Sequence, residues 1–134
     1  VVVAATMADR PFVPPDWLDP GSVFLSISSL DPTLELIEAC DVWVCDVWEH
    51  ETAHHSRPFA RAVAAGIVTR ERVAELGQLL IGDATGRTSR DQRVLVSPVG
   101  LGIEDVAGAW RVARRAQELG IGTPLRLWER PIWT

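Results

Sequence analysis

The sharpest local pattern in the amino-acid sequence is a five-residue segment of the H-E-x-x-H type that runs from His50 to His54. When such a segment lies in a helix, its two histidines bind zinc and its glutamate activates a water molecule. Here the segment follows a strand-like run, Glu49 precedes it, and no convincing third ligand follows, because Ser56-Arg57-Pro58 breaks the pattern. A polar loop between a strand and a helix is therefore favoured, no metal site is expected, and a zinc hydrolase remains an alternative hypothesis.

The carboxylate of Asp31 is a second candidate, because it lies between Leu30 and Pro32 at the end of a strand-like run. In open parallel sheets, ligands bind beyond the carboxyl ends of the strands. The alternative is that Asp31 caps a helix in which Pro32 takes the first position. The spacing alone favours the helix cap, and the same interpretation holds for Asp46 and Asp105.

A glycine-containing turn, Gly100-Leu101-Gly102, follows another strand-like run and precedes a helical one, as the first part of a dinucleotide fingerprint does. The third glycine of that fingerprint is missing, because Asp105 stands in its place. The turn by itself therefore indicates only a place where backbone N–H groups at a helix start could contact a ligand.

Composition and charge exclude several classes of protein. The chain has 134 residues and a formal charge of −5, which fits one globular domain and disfavours a nucleic-acid-binding surface. All 13 basic residues are arginines, so a Schiff-base lysine and a P-loop phosphate site are excluded. No apolar run approaches the ~20 residues of a membrane span. Cys40 and Cys45 are too few for a disulfide scaffold, and we expect buried free thiols in a reducing, cytoplasmic setting.

Strand-like and helix-like segments alternate along the chain, which predicts an α/β fold with a parallel sheet. The predicted strands are residues 1–6, 23–28, 41–48, 93–99 and 124–128, and the predicted helices are residues 31–40, 57–65, 69–80 and 105–119. In the last helix, the side chains expected to face the core are Val106, Trp110, Val112, Ala113 and Ala116. The sequence starts in a strand-like run without Met, so we expect a piece of a longer protein.

Several segments occur in the order seen in the ornithine cyclodeaminase/μ-crystallin family, which the sequence resembles over nearly its whole length. They are residues 1–6, residues 17–21 (WLDPG), the strand that ends in Asp31, residues 86–89 (GRTS), residues 97–107 (SPVGLGIEDVA) and residues 113–123 (ARRAQELGIGT). Within that family, residues 25–31 and 97–102 look nearer the branch that forms diaminopropionate.

The resemblance implies a two-domain architecture of which this chain is the distal part. Residues 1–100 would be the distal part of a doubly wound, Rossmann-like parallel sheet that binds NAD or NADP. Residues 101–134 would be a C-terminal helix and tail that pack toward a substrate and dimerisation domain. On this alignment the missing N-terminal half precedes Val1 and carries the Gly-rich phosphate loop, and a homodimer is expected because family members are usually dimers.

The resemblance also implies hydride transfer between an amino-acid Cα and NAD or NADP, with an imine intermediate. The catalytic aspartate of the family falls on Asp31. The positions that touch the cofactor fall on Thr6, Met7, Ser28, Ser29, Leu30, Pro98, Val99 and Gly100. Cyclodeaminases carry Gly-Gly where this chain has Ser29-Leu30, and their following Lys has no counterpart, which argues against ornithine as the substrate. The alternatives are oxidative cleavage of an N-substituted amino acid to diaminopropionate, and a non-catalytic μ-crystallin-like protein that stores NADPH or a small ligand.

Overall fold

Short parallel strands form a single sheet in the computed structural model, which describes residues 1–125. Within those residues the strands are β1 (Val2–Ala4), β2 (Val23–Ser26), β3 (Val42–Cys45), β4 (Val73–Glu75) and β5 (Val94–Ser97). Their order across the sheet is β1-β2-β5-β3-β4, and every neighbouring pair is parallel. The predicted α/β fold with a Rossmann-like parallel sheet is confirmed.

The last strand, β5, lies in the middle of the sheet. It pairs with β2 through Leu25 and Val96, and with β3 through Cys45 and Ser97. Because all strands run the same way, the segments that follow β1, β2, β3 and β5 leave the sheet at one edge. We call it the carboxyl edge, and it is where ligands bind in open α/β sheets.

Five α-helices lie between or after the strands in the described part of the chain. They are α1 (Leu34–Glu38), α2 (Trp48–Ala53), α3 (Pro58–Ala64), α4 (Leu76–Ile81) and α5 (Gly102–Leu119). In α1 the buried residues are Leu36 and Ile37, and in α3 they include Phe59 and Ala62, all without exposed surface. These side chains form one apolar core with Phe24 and Leu95 of the central strands.

Residues 69–80 are not the single helix that their periodicity predicts. They form a 3-10 turn (Arg70–Arg72), strand β4 and helix α4 in succession. Val73 pairs with Trp43 of β3, and the Arg72 guanidinium lies 4.1 Å from the centre of the Trp43 ring. Tertiary pairing with β3 therefore overrides local helix periodicity, as is common for short segments.

The predicted third strand also ends earlier than expected. Strand β3 stops at Cys45, and Trp48 already begins α2. The H-E-x-x-H segment consequently lies largely in a helix, and the prediction of a polar loop there is wrong. The reason is that Trp48 donates its backbone N–H to Glu75 Oε1 at 2.8 Å, which satisfies one of the free amides of the helix start from outside the segment.

Helix α5 forms, but its predicted core face is exposed. The exposed fractions of Val106, Trp110 and Val112 are 69%, 66% and 70%. Ala113 is exposed and Ala116 half-buried. Periodicity identifies an apolar face without identifying what covers it, which is why the prediction fails here. The chain divides into two units after Gly100, and α5 belongs to the second.

The predicted strand at residues 124–128 falls mostly outside the described residues, and residues 124–125 are irregular. Among the helices of residues 1–125, none combines the length and the apolar character needed to cross a membrane.

Candidate functional site

Asp31 is fully buried at the carboxyl edge, and its carboxylate is held by two hydroxyls. Thr6, which follows β1, donates from Oγ1 to Oδ1 at 2.5 Å, and Ser28, which follows β2, donates from Oγ to Oδ2 at 2.6 Å. Asp31 does not cap α1. That cap is Thr33, whose Oγ1 accepts the Leu36 N–H at 3.2 Å, so the helix-cap interpretation of Asp31 is wrong.

Backbone amides fix the direction of both hydroxyls. Ser28 Oγ accepts the Thr6 N–H at 2.8 Å, and Thr6 Oγ1 accepts the Ala8 N–H at 3.1 Å. The backbone carbonyl of Asp31 accepts two further amides, from Phe12 and Val13. Each hydroxyl thus accepts one hydrogen bond from an amide and donates one to the carboxylate. Thr6 and Ser28 are partly exposed whereas Asp31 is not, so solvent reaches this cluster at those two residues.

The other positions that the resemblance assigns after β1 and β2 lie outside this cluster. Met7 is fully exposed, so its side chain takes no part in holding Asp31. Ser29 and Leu30 are half-buried in the turn that connects Ser28 with Asp31.

Pro98, Val99 and Gly100 form a turn directly after β5, and Asp46 holds its end. Asp46 follows β3 and accepts the Gly100 N–H at 2.7 Å through Oδ2 and the Val47 N–H at 2.8 Å through Oδ1. Burial acts to raise the pKa of Asp46, but the amides of Gly100, Val47 and Val99 outweigh it and the pKa is lowered. Asp46 therefore links two strand ends and is not the helix cap that the spacing predicts. Asp105, by contrast, is an exposed residue in the first turn of α5.

Gly100 has a φ of +96°, and a Cβ built on it would meet no atom within 4 Å. The open space lets another molecule approach the backbone closely, while the positive φ makes any residue other than glycine strained. A bound dinucleotide needs such a close approach to the backbone. The residues present fit that requirement.

A buried ion pair, which the sequence alone did not reveal, lies behind this turn. Glu51 of α2 is fully buried and accepts Arg57 Nε at 2.9 Å. Its other oxygen, Oε1, accepts the Ser97 hydroxyl at 2.9 Å and the Phe59 N–H at 3.1 Å. Arg57 in turn donates to the Pro98 carbonyl at 2.6 Å. Burial raises the pKa of Glu51, and the hydrogen bonds from Phe59 and Arg57 offset part of that rise.

This arrangement argues against the zinc-hydrolase hypothesis. The glutamate of an H-E-x-x-H site must be free to activate water. Both oxygens of Glu51 are already occupied by protein donors, whereas His50 and His54 are exposed. The one signal in the sequence that pointed to Glu51 was the H-E-x-x-H pattern itself, which gave the residue a different role.

Cys40 and Cys45 are buried and free, as predicted. Burial is the main cause that raises the pKa of each thiol to about 12. Neither thiol is therefore a nucleophile near neutral pH.

Comparison with known proteins extends the resemblance. A model of the ornithine cyclodeaminase/mu-crystallin family matches residues 1–120. An N-((2S)-2-amino-2-carboxyethyl)-L-glutamate dehydrogenase from Staphylococcus aureus is 35% identical over 129 residues, which are 96% of this chain and 38% of that protein. The chain thus spans about two fifths of the length of this relative.

Solved structures share the fold. The structure of CmnK superposes with a TM-score of 0.75 at 29% identity, over 96% of this chain and 39% of that one. A Δ(1)-pyrroline-2-carboxylate reductase from Thermococcus litoralis, solved with NADH and L-proline, superposes with a TM-score of 0.69 at 23% identity, over 92% of this chain and 39% of that one. With the family model matched along most of its length, the chain belongs to the ornithine cyclodeaminase/μ-crystallin family.

Proposed function

We propose that the protein containing this chain is an NAD(P)-dependent oxidoreductase that removes hydride from the Cα of an amino acid, with Asp31 as its base. The observation that carries the proposal is the buried Asp31 carboxylate, which two hydroxyls hold at the carboxyl edge of the sheet. Membership of the family supports it further, because the relatives include dehydrogenases.

The favoured substrate is an N-substituted amino acid. The dehydrogenase from Staphylococcus aureus, which acts by its name on a carboxyethyl-substituted glutamate, shares 35% identity with this chain. In the proposed reaction the substrate nitrogen loses a proton and its Cα loses a hydride, which leaves a carbon–nitrogen double bond. Water adds to that bond, which then breaks to give a keto acid and a primary amine. A bound nicotinamide supplies the hydride acceptor.

The base receives its proton through a hydroxyl. Both oxygens of Asp31 accept from Thr6 or Ser28, and those two side chains are partly exposed. A hydroxyl can accept a proton on its oxygen while it passes its own proton on, since it is both a donor and an acceptor. Asp31 therefore takes the proton from the substrate nitrogen, or from the attacking water, by way of one of these hydroxyls.

The cofactor would contact the segments on either side of this relay. We assign to it Thr6 and Met7 after β1, the turn from Ser28 to Leu30, and the turn formed by Pro98, Val99 and Gly100. The open backbone at Gly100 supports the last assignment.

Residues 1–100 would then be the distal part of the dinucleotide-binding domain, and residues 101–134 would pack toward a substrate and dimerisation domain in a homodimer. The division of the chain after Gly100 and the exposed apolar side chains of α5 support this organisation. The buried free thiols are consistent with the cytoplasm as the compartment.

Asp31→Asn in the complete protein tests the proposal. Asparagine keeps the shape and can still bond both hydroxyls, because the hydroxyls can accept from its amide, but it cannot take a proton. We expect kcat for reduction of NAD(P)⁺ by N-(2-amino-2-carboxyethyl)-glutamate to fall by at least about 100-fold. The dinucleotide Kd, measured by calorimetry, is expected to stay unchanged.

The matched control is Asp41→Asn. Asp41 is exposed and accepts the Arg93 N–H at the opposite edge of the sheet. Its replacement should leave kcat unchanged. Full turnover in Asp31→Asn would exclude this residue as the base. Tight dinucleotide binding without turnover on this substrate, ornithine or alanine would favour the non-catalytic alternative.

A further inference from the structure

Two arginines lie one turn apart at helix α3, Arg57 at its N-cap and Arg61 within it, and each holds a different segment of the carboxyl edge. Arg61 donates from Nη2 to the carbonyl of Pro32, the residue after Asp31, at 2.6 Å. Arg57, at the start of the helix, donates from Nη2 to the carbonyl of Pro98 at 2.6 Å. The two segments follow different strands, β2 and β5, and these two side chains bond both.

The first of these arginines is anchored firmly. Arg57 is 7% exposed, its Nε bonds the fully buried Glu51, and Glu51 also accepts from Ser97 of β5. The fork of the guanidinium lets one side chain bond the carboxylate and the Pro98 carbonyl at once. Glu51 thereby fixes the direction in which Arg57 meets the turn.

The second arginine, Arg61, is held by fewer hydrogen bonds than Arg57. Within the described residues, Arg61 Nε is a buried donor with no hydrogen-bond partner. A buried donor without a partner costs stability, so the position is not optimised for stability alone. The hydrogen bond of Arg61 that reaches the candidate site is the one to Pro32.

We propose that Arg57 and Arg61 are positioning residues that set the spacing between the Asp31 carboxylate and the turn at residues 98–100. The inference rests on the proposed function, because that spacing matters only if a nicotinamide and a substrate lie between the two segments. A short helix with one side chain bonded to each segment is suited to the task, since sites held by rigid elements keep their geometry better than sites held by loops alone. Each arginine then controls one part of the reaction: Arg57 the binding of the dinucleotide, Arg61 the placement of the base.

Two variants of the complete protein separate these roles. In Arg57→Lys the ammonium can still pair with Glu51 but cannot reach Pro98 at the same time, so the turn is released while the buried charge stays paired. We expect the dinucleotide Kd to rise about tenfold, with kcat at saturation unchanged. In Arg61→Met the apolar stem is kept and the bond to Pro32 is lost. We expect kcat to fall about tenfold, with the dinucleotide Kd unchanged.

Arg87 provides the matched controls. It is exposed, and it donates from Nη2 to the Gly21 carbonyl at 2.6 Å, ahead of β2 and thus at the opposite edge of the sheet. Arg87→Lys and Arg87→Met should therefore leave both Kd and kcat unchanged. They match the test substitutions in chemistry and in the kind of hydrogen bond removed.

Amide hydrogen exchange gives a readout that does not depend on activity. In Arg57→Lys, amide exchange should become faster in the peptide covering residues 96–101 and stay unchanged in the peptide covering residues 31–36. In Arg61→Met the reverse is expected. Faster exchange throughout, or Kd and kcat per folded molecule that equal those of the wild type, would mean a purely structural role and would overturn the inference. If Arg57→Lys does not fold, Arg61→Met decides by the same criteria.

A different result would contradict the proposed function itself. A wild-type protein that binds no dinucleotide and transfers no hydride contradicts the proposed function, whatever the variants do. In that case, amide exchange that becomes faster only in the segment bonded by the replaced arginine still shows that each arginine holds its own segment. Faster exchange throughout the protein shows that the arginines do not hold separate segments.

Discussion

Three buried carboxylates lie near the carboxyl edge, and their donors suit them to different tasks. Asp46 accepts from backbone amides, which can only donate, so it is fixed as an acceptor. Glu51 accepts from the Ser97 hydroxyl, but its other two donors, the Arg57 guanidinium and the Phe59 N–H, can only donate. Asp31 accepts from the hydroxyls of Thr6 and Ser28, which can reverse their direction. Of the three, Asp31 is therefore the carboxylate that can exchange a proton without leaving a buried donor unpaired.

Asp46→Asn should destabilise the protein in a pH-dependent way. The amide of asparagine places a donor against one of the two amides that Asp46 accepts, so we expect a loss of about 1.5–3 kcal/mol in the free energy of unfolding near neutral pH. Because the pKa of Asp46 is lowered on folding, its stabilising contribution is present above the ordinary value of 3.8 and is lost as the pH falls through the folded value. The difference between wild type and variant, measured by urea unfolding, should therefore shrink at acid pH.

The control for this measurement is Asp83→Asn, which replaces an exposed carboxylate in a loop. It should change the free energy of unfolding by less than about 0.5 kcal/mol. A difference for Asp46→Asn that grows as the pH falls would contradict the assignment of the amide hydrogen bonds.

At the scale of elements, pairing between segments distant in sequence determines whether a short segment forms a strand or a helix. Residues 69–80 have helical periodicity, yet Val73 pairs with Trp43 and a strand of three residues interrupts the run. Glu75 then bonds the start of α2 through Trp48, and its own N–H is bonded by Gln78 in α4. Alternating strands and helices were enough to predict the sheet, but such short elements are determined by partners that are distant in sequence.

Two glycines of α4 give opposite predictions. Gly77 lies within the helix, and a Cβ there would meet nothing within 4 Å, so Gly77→Ala should stabilise the protein by about 0.5–1 kcal/mol. Gly82 ends the helix with a φ of +84°, a conformation that alanine adopts only with strain. Gly82→Ala should therefore destabilise the protein by about 1 kcal/mol.

Each variant serves as the control for the other, because both make the same chemical change in one helix of six residues. Denaturant unfolding at equal protein concentration measures the two differences. Effects of the same sign would show that α4 ends elsewhere than at Gly82.

For the molecule as a whole, the sequence predicted the residues around the candidate carboxylate but not the ion-pair network behind them. Asp31, Thr6 and Ser28 were identified by a resemblance that follows the order of segments along the chain. The ion pair of Glu51 and Arg57 joins α2, α3 and β5, and no local spacing indicates such a contact. A pattern along one segment reveals a strand end, whereas a network between three elements becomes visible only in the fold.

The last prediction concerns the apolar face of α5, which we expect to be covered in the complete protein. Ile103, Val106 and Trp110 lie on one side of this helix and are 74%, 69% and 66% exposed. If residues 101–134 pack toward a substrate and dimerisation domain, as we propose, Trp110 is buried in the complete protein. Trp110→Ala should then lower its free energy of unfolding by about 3 kcal/mol, the usual cost of removing a buried large aromatic side chain. Arg111→Ala, one position further on the polar side, should cost less than about 0.5 kcal/mol. Denaturant unfolding of the complete protein measures both, and equal small effects would mean that this face stays in solvent.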